Sequence, residues 1–184
     1  MTTSSDHPAA DHRTEQPAPK RKKTPQSCLE VAFRLLGRRD FGVSELTQRL
    51  MDKGFERDEV TNVVARLQEL GAVDDARYAR ILVSSRARLN RWGRRRIQLD
   101  MQRRLLDEQL ITQTLNAWEE GELEEEAESW TTQATNLLTR RYGRWQGRLE
   151  DKEFQKRMNF LLRRGYSYDQ ARQALAATRE EEKC

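Results

Sequence analysis

Residues 86–100 read RARLNRWGRRRIQLD: six arginines around one tryptophan and one glycine, with a single aspartate at the end. From Ala76 to Leu106 there are ten arginines (77, 80, 86, 88, 91, 94, 95, 96, 103 and 104) and one acid, Asp100, a net +9 in a chain whose total is +4. Arg77, Arg80, Ser84, Arg88 and Arg91 follow one another by 3, 4, 4 and 3 residues, the spacing of one helix face. Arg94, Arg95, Arg96 and Arg103 fall on the next helix. A face meant only for solvent intersperses glutamates four residues away; stacked like charges instead cost a few tenths of a kcal/mol per pair, about 0.2–0.5. An anionic partner relieves that repulsion. A planar guanidinium suits this task because it makes paired hydrogen bonds to carboxylate or phosphate. The chemistry expected here is therefore binding of a polyanion, either nucleic acid or an acidic protein face. The expected surface comprises Arg77, Arg80, Arg86, Arg88, Arg91, Trp92, Arg94, Arg95, Arg96, Arg103 and Arg104, with Arg163 and Arg164 as additional basic contacts. Trp92 has two readings: packing at the joint between two helices, or a partner contact such as base stacking.

Other chemistries find no residues to carry them. Both histidines, His7 and His12, lie in a polar N-terminal stretch, so no nucleophile has a sequence-evident base. Cys28 and Cys184 lie near opposite ends, and there is no CxxC, HExxH or His/Cys cluster with metal-ligand spacing. Gly71 and Gly93 stand alone rather than in a phosphate-cradling loop. Glu119 to Glu128 holds seven glutamates in ten residues without calcium-loop spacing, and reads as a solvated acidic helix. The expectation is a binding protein, not an enzyme, with no metal and no cofactor.

The elements that position the arginines are helical. Charged residues make up 35% of the chain, apolar residues 36%, and mean hydropathy is -0.97, which suits thin amphipathic helices. No apolar run approaches the about 20 residues of a membrane span, and the N-terminus lacks the apolar run of a secretory signal. Those features point to a cytoplasmic location without membrane contact. Residues 1–26 read as a disordered tail ending in the basic run Lys20-Arg21-Lys22-Lys23. Ser27 with Glu30 makes a capping box for the first helix, Ser44 is the expected opening of the second, and Gly54 and Gly71 close the second and third.

Three segments repeat: RLMDKGFERDEVTNVV, LDMQRRLLDEQLITQTL and NFLLRRGYSYDQARQAL. Leu50, Met101 and Leu161 correspond; Gly54, Leu105 and Gly165 take the turn; Phe55, Leu106 and Tyr166 follow it. The turns are 51 and then 60 residues apart, room for three helices per unit. Leu105 breaks the glycine rule, so strain or a different shape is expected there. The predicted fold is all-α: three tandem three-helix repeats at 27–72, 73–119 and 120–178, forming an elongated, curved, monomeric body, with a short tail at 179–184. A single globular helical bundle is the alternative.

The stretches AFRLLGRRDFGVSELTQRLMDKGF, DDARYARILVSSRARLNRWGRRRI and FLLRRGYSYDQARQAL resemble the RecX family of bacterial regulatory proteins over about 32–178. The specific motifs are D-[DE]-x-R-[FY]-A at Asp74–Ala79, S-R-A-R at Ser85–Arg88 and R-R-G-[FY]-S-Y-D at Arg163–Asp169. The resemblance implies tandem three-helix repeats and binding to RecA, the recombinase that polymerises on single-stranded DNA. It implies restraint of the recombinase, ATPase and coprotease activities of RecA, and so a place in homologous recombination, DNA repair and the SOS response. Some members also bind DNA, single- or double-stranded. The alternative is a direct DNA-binding helical protein using its arginine face on phosphates. This sequence departs from the family pattern at Trp92-Gly93-Arg94, where a Gly-Pro is common, and at Leu105.

Overall fold

The computed structural model describes residues 26–123, 128–145 and 152–179. Residues 1–25 of the expected N-terminal tail, Glu124 to Glu126 of the acidic run, and residues 180–184 of the expected C-terminal tail lie outside the described residues. Nine helices are described: α1 Cys28–Leu36, α2 Val43–Met51, α3 Arg57–Glu69, α4 Asp75–Arg88, α5 Arg94–Arg103, α6 Glu108–Glu119, α7 Trp130–Tyr142, α8 Lys152–Arg163 and α9 Tyr168–Thr178. No strand occurs among the described residues, only an isolated bridge between Trp145 and Arg179.

Local chemistry explains where the helices start. The Ser27–Glu30 capping box is formed in both directions, and Ser167–Gln170 repeats it before α9. Asp74, Asp107 and Ser129 accept from backbone N–H groups of the first turns of α4, α6 and α7. Hydrogen bonds from the Arg77 backbone N–H first, then Ala76, hold the Asp74 carboxyl below its ordinary range.

Each repeat turns its second helix into its third in the same way. The N–H groups of Phe55, Leu106 and Tyr166 donate to the carbonyls of Leu50, Met101 and Leu161, at 3.4, 3.3 and 3.2 Å. The residues before them, Gly54, Leu105 and Gly165, have φ of +91°, +59° and +90°. The second repeat thus keeps the left-handed turn and forces a leucine into it, at a cost of about 1–2 kcal/mol.

Leu46, Leu50, Val60 and Leu67 bury a separate core in the first repeat with Cys28, Ala32 and Phe41. The second and third repeats share one core from Tyr78 to Leu175, joined by Trp118 and Trp130, whose rings lie 6.1 Å apart. Arg157, 4% exposed, donates to the carbonyls of Tyr142 and Gly143 at 3.1 and 2.9 Å and closes the end of α7.

Candidate anion-binding groove

The joints between repeats determine which arginines face outward. At the first joint, Ser44 does not open α2. Gly42 is the cap position, it has no side chain, and Asp75 of the next repeat accepts from the Val43 N–H at 2.8 Å. At the second joint, Gly93 and Gly165 meet. A Cβ on Gly93 would fall 2.5 Å from the Tyr166 nitrogen, and one on Gly165 would fall 2.5 Å from the Arg96 Cβ. The N–H groups of Gly93 and Arg95 donate to the carbonyls of Arg164 and Gly165 at 2.9 and 3.1 Å, so the third repeat caps α5. Gly93 has φ −78°; the sharp turn between α4 and α5 instead falls at Arg91, with φ +53°.

These joints divide the expected arginine face. Arg77 donates to the carbonyls of Gly71 and Ala72 at 2.9 and 3.5 Å, beyond the end of α3. Arg86 and Arg104 flank Asp100 at 2.8 and 3.4 Å, and Arg104 also donates to the Tyr78 hydroxyl at 2.7 Å. Burial pushes the Tyr78 phenol above its ordinary range, and Arg104 pulls it part of the way back. Arg94 bonds Asn116 at 2.6 Å and Glu119 at 3.2 Å, tying α5 to α6. Arg91 pairs with Glu128 at 3.9 Å, and Arg164 donates to the Asn90 carbonyl at 2.7 Å. Six of the thirteen expected residues therefore hold repeats and helices together. Spacing alone shows a face; it does not show which guanidinium bends back onto a carbonyl.

Arg95, Arg96, Arg103 and Arg163 remain outward. They line a groove of about 440 Å³ with Trp92, Leu99, Asp100, Leu162 and Gly165, between α5 and the end of α8. Arg95 and Arg103 form no ion pair with a described acid. Arg96 donates to the Arg163 carbonyl at 3.4 Å, and its guanidinium lies 4.2 Å from the centre of the Trp92 ring; that of Arg86 lies 5.3 Å away. Trp92 packs partly buried against the shared core and also lines the groove. Its ring faces the Arg96 guanidinium. Arg80 and Arg88 lie on the outer side of α4, exposed. Among the described residues no three His, Cys, Asp or Glu gather as a metal site, and no helix is long and apolar enough to cross a membrane.

Family models for the first, second and third three-helix domains of RecX match residues 28–67, 74–115 and 131–175. A protein of Xanthomonas axonopodis pv. citri named regulatory protein RecX is 34% identical over 167 residues, covering 90% of this chain and 95% of that one. The chain belongs to the RecX family. The Vibrio vulnificus regulatory protein RecX is 29% identical over 82% of this chain and 92% of its own. The crystal structure of RecX from Lactobacillus salivarius superposes with a TM-score of 0.66 at 18% identity, covering 82% of this chain and 94% of that one, a likeness of fold. The family assignment rests on three matching domain models and on relatives named as regulatory proteins, and it accords with the helical repeats.

Proposed function

We propose that this RecX-family chain binds RecA and its filament on single-stranded DNA and restrains recombinase, ATPase and coprotease activity, acting as a cytoplasmic monomer. The observation that carries the reading is the groove of Arg95, Arg96, Arg103 and Arg163 at the second joint, within a chain whose relatives are named regulatory proteins. Four guanidinium groups projecting from α5 and the end of α8 gather positive charge from two repeats, and such a surface complements a regular anionic lattice such as a nucleoprotein filament. The remaining basic residues of α4, Arg80 and Arg88, extend the charge along the same repeat. Arg77, Arg86, Arg91, Arg94, Arg104 and Arg164 support the surface by holding its elements.

A titration against the DNA-dependent ATPase of RecA, with naked-DNA binding measured in parallel, tests this function. Inhibition below the amount that coats the DNA is the expected result; no inhibition at one chain per RecA removes the assignment. Replacing Arg95, Arg96, Arg103 and Arg163 with alanine should weaken binding and flatten its salt dependence. If DNA phosphates are the contact, the log–log slope falls by about 3 to 4. If acidic side chains of RecA are the contact, the loss appears with filaments and not with naked DNA.

A further inference from the structure

Helix α4 carries a second apolar line that the fold does not use. Ile81, Ser85 and Leu89 repeat every four residues. The core instead takes Tyr78, Ala79, Leu82, Val83 and Ala87. Ile81 is 44% exposed and Leu89 is 80% exposed. With Leu123, from the segment after α6, they line an open groove of about 450 Å³, together with Ser84 and Ser85 and with Arg80 and Arg88. Arg80 donates only to the Ala76 carbonyl of its own helix, at 3.3 Å, and forms no ion pair with a described acid.

The chemistry of this groove differs from that of the basic groove at the second joint. Among the described residues that line it there is no aromatic ring to offer unstacked bases a platform. Its aliphatic side chains gain only from burial against other apolar side chains. Ile81 and Leu89 are two helical turns apart, with small serines between them, which lets a partner helix approach closely. Arg80, at one end of that line and without an ion pair to a described acid, favours a carboxylate beside the partner's apolar residues.

We propose that this α4 groove receives an acidic amphipathic helix of the protein partner. Aliphatic residues of that helix, spaced i and i+4, seat among Ile81, Leu89 and Leu123, and a carboxylate of it meets Arg80. The inference rests on the RecA-binding reading and assigns that protein contact a surface separate from the joint groove.

The experiment compares the full-length wild type with Ile81→Asp/Leu89→Asp and with Leu89→Met, using RecA filaments on single-stranded DNA and the same DNA alone as probes. The aspartate pair should keep its melting temperature and its affinity for naked DNA, and lose at least tenfold in affinity for filaments. Leu89→Met should bind filaments like wild type, since it keeps an apolar chain of similar volume. Wild-type filament binding by the aspartate pair overturns the groove and leaves the RecA reading standing. A fall in naked-DNA binding equal to the fall with filaments marks a nucleic-acid surface and overturns it as well. A melting temperature several degrees lower shows that the chain itself fills the groove, and this too overturns the proposal. A wild type that fails to bind filaments removes the RecA reading, and this inference with it.

Discussion

Leu105 is the residue where local geometry and residue type disagree most clearly. It occupies the left-handed turn that glycine fills at 54 and 165, and its side chain is 50% exposed, so little burial offsets the strain. Leu105→Gly should therefore raise stability by about 0.5–1 kcal/mol, after allowing for the greater freedom glycine gains when unfolded. Urea denaturation with an unchanged slope is the check, and a decrease in stability would show that the leucine contributes packing. Gly93 gives the opposite case. It has ordinary φ, yet a Cβ there would collide with the backbone of Tyr166 and Gly165. Gly93→Ala should cost about 2 kcal/mol or more, because backbone atoms cannot move aside as a flexible side chain does. Tyr166, beside this contact, has its phenol pushed up to about 12 by burial, with Arg164 and Arg91 pulling the other way. Its ordinary value is 10.0, so the folded chain holds a proton that the unfolded chain releases between those two values. The stability from the neutral phenol is fully present below pH 10 and is lost as pH rises through the folded value, at about 1.4 kcal/mol per unit of separation. Tyr166→Phe should flatten that alkaline loss; parallel urea curves at two alkaline pH values measure it. The leucine was legible as an exception because three turns could be aligned in the sequence. The reason for Gly93 was not, since its collision partner lies over seventy residues away.

The helices themselves were largely written in local signals. The Ser27–Glu30 box and the turn glycines predict starts and stops, and all lie where caps do chemical work. The start of α2 escaped because its cap comes from another repeat. Ser44 offers the right side chain in the wrong place, and Asp75 reaches the Val43 N–H from across the joint. Asp75→Ala should cost about 1 kcal/mol, the usual range for a lost cap, and should raise amide exchange at the first turn of α2 rather than α4. Changes in protection restricted to α4 would show that the carboxylate serves its own helix. The arginines follow the same division. Periodicity placed Arg77, Arg80, Arg88 and Arg91 on one helix face, but the energies of the expected arginines depend on carbonyls and carboxylates supplied by neighbouring helices. Arg94 reaches α6, Arg164 reaches the end of α4, and Arg77 reaches the turn after α3. A pattern of positive charge predicts a surface; the partition into ties and outward cations needs the fold.

At the scale of the molecule, the first repeat buries its own core while the other two share one. Stability should therefore be uneven along the chain. Leu50→Ala and Leu161→Ala both remove fully buried leucines, each at a cost of about 2–5 kcal/mol. The first should loosen exchange in α1–α3 and spare α7–α9, whereas the second should loosen α4–α9 together. Uniform loosening by Leu50→Ala would instead mean that all nine helices open as one unit. Sequence repetition revealed three units but not this grouping, because the tryptophans that join the second and third repeats, Trp118 and Trp130, lie outside the repeated segments. The contact of Gly93 with Gly165 carries the last consequence. The basic groove's opposing walls are registered by peptide groups touching one another, with Arg96 and Arg164 bonding across the same seam. Its width is consequently set by the scaffold rather than by what is written at positions 95, 103 and 163. Randomising those three positions would sample charge and shape of recognition on an unchanging gauge, whereas a single methyl added at either glycine would reset the gauge itself.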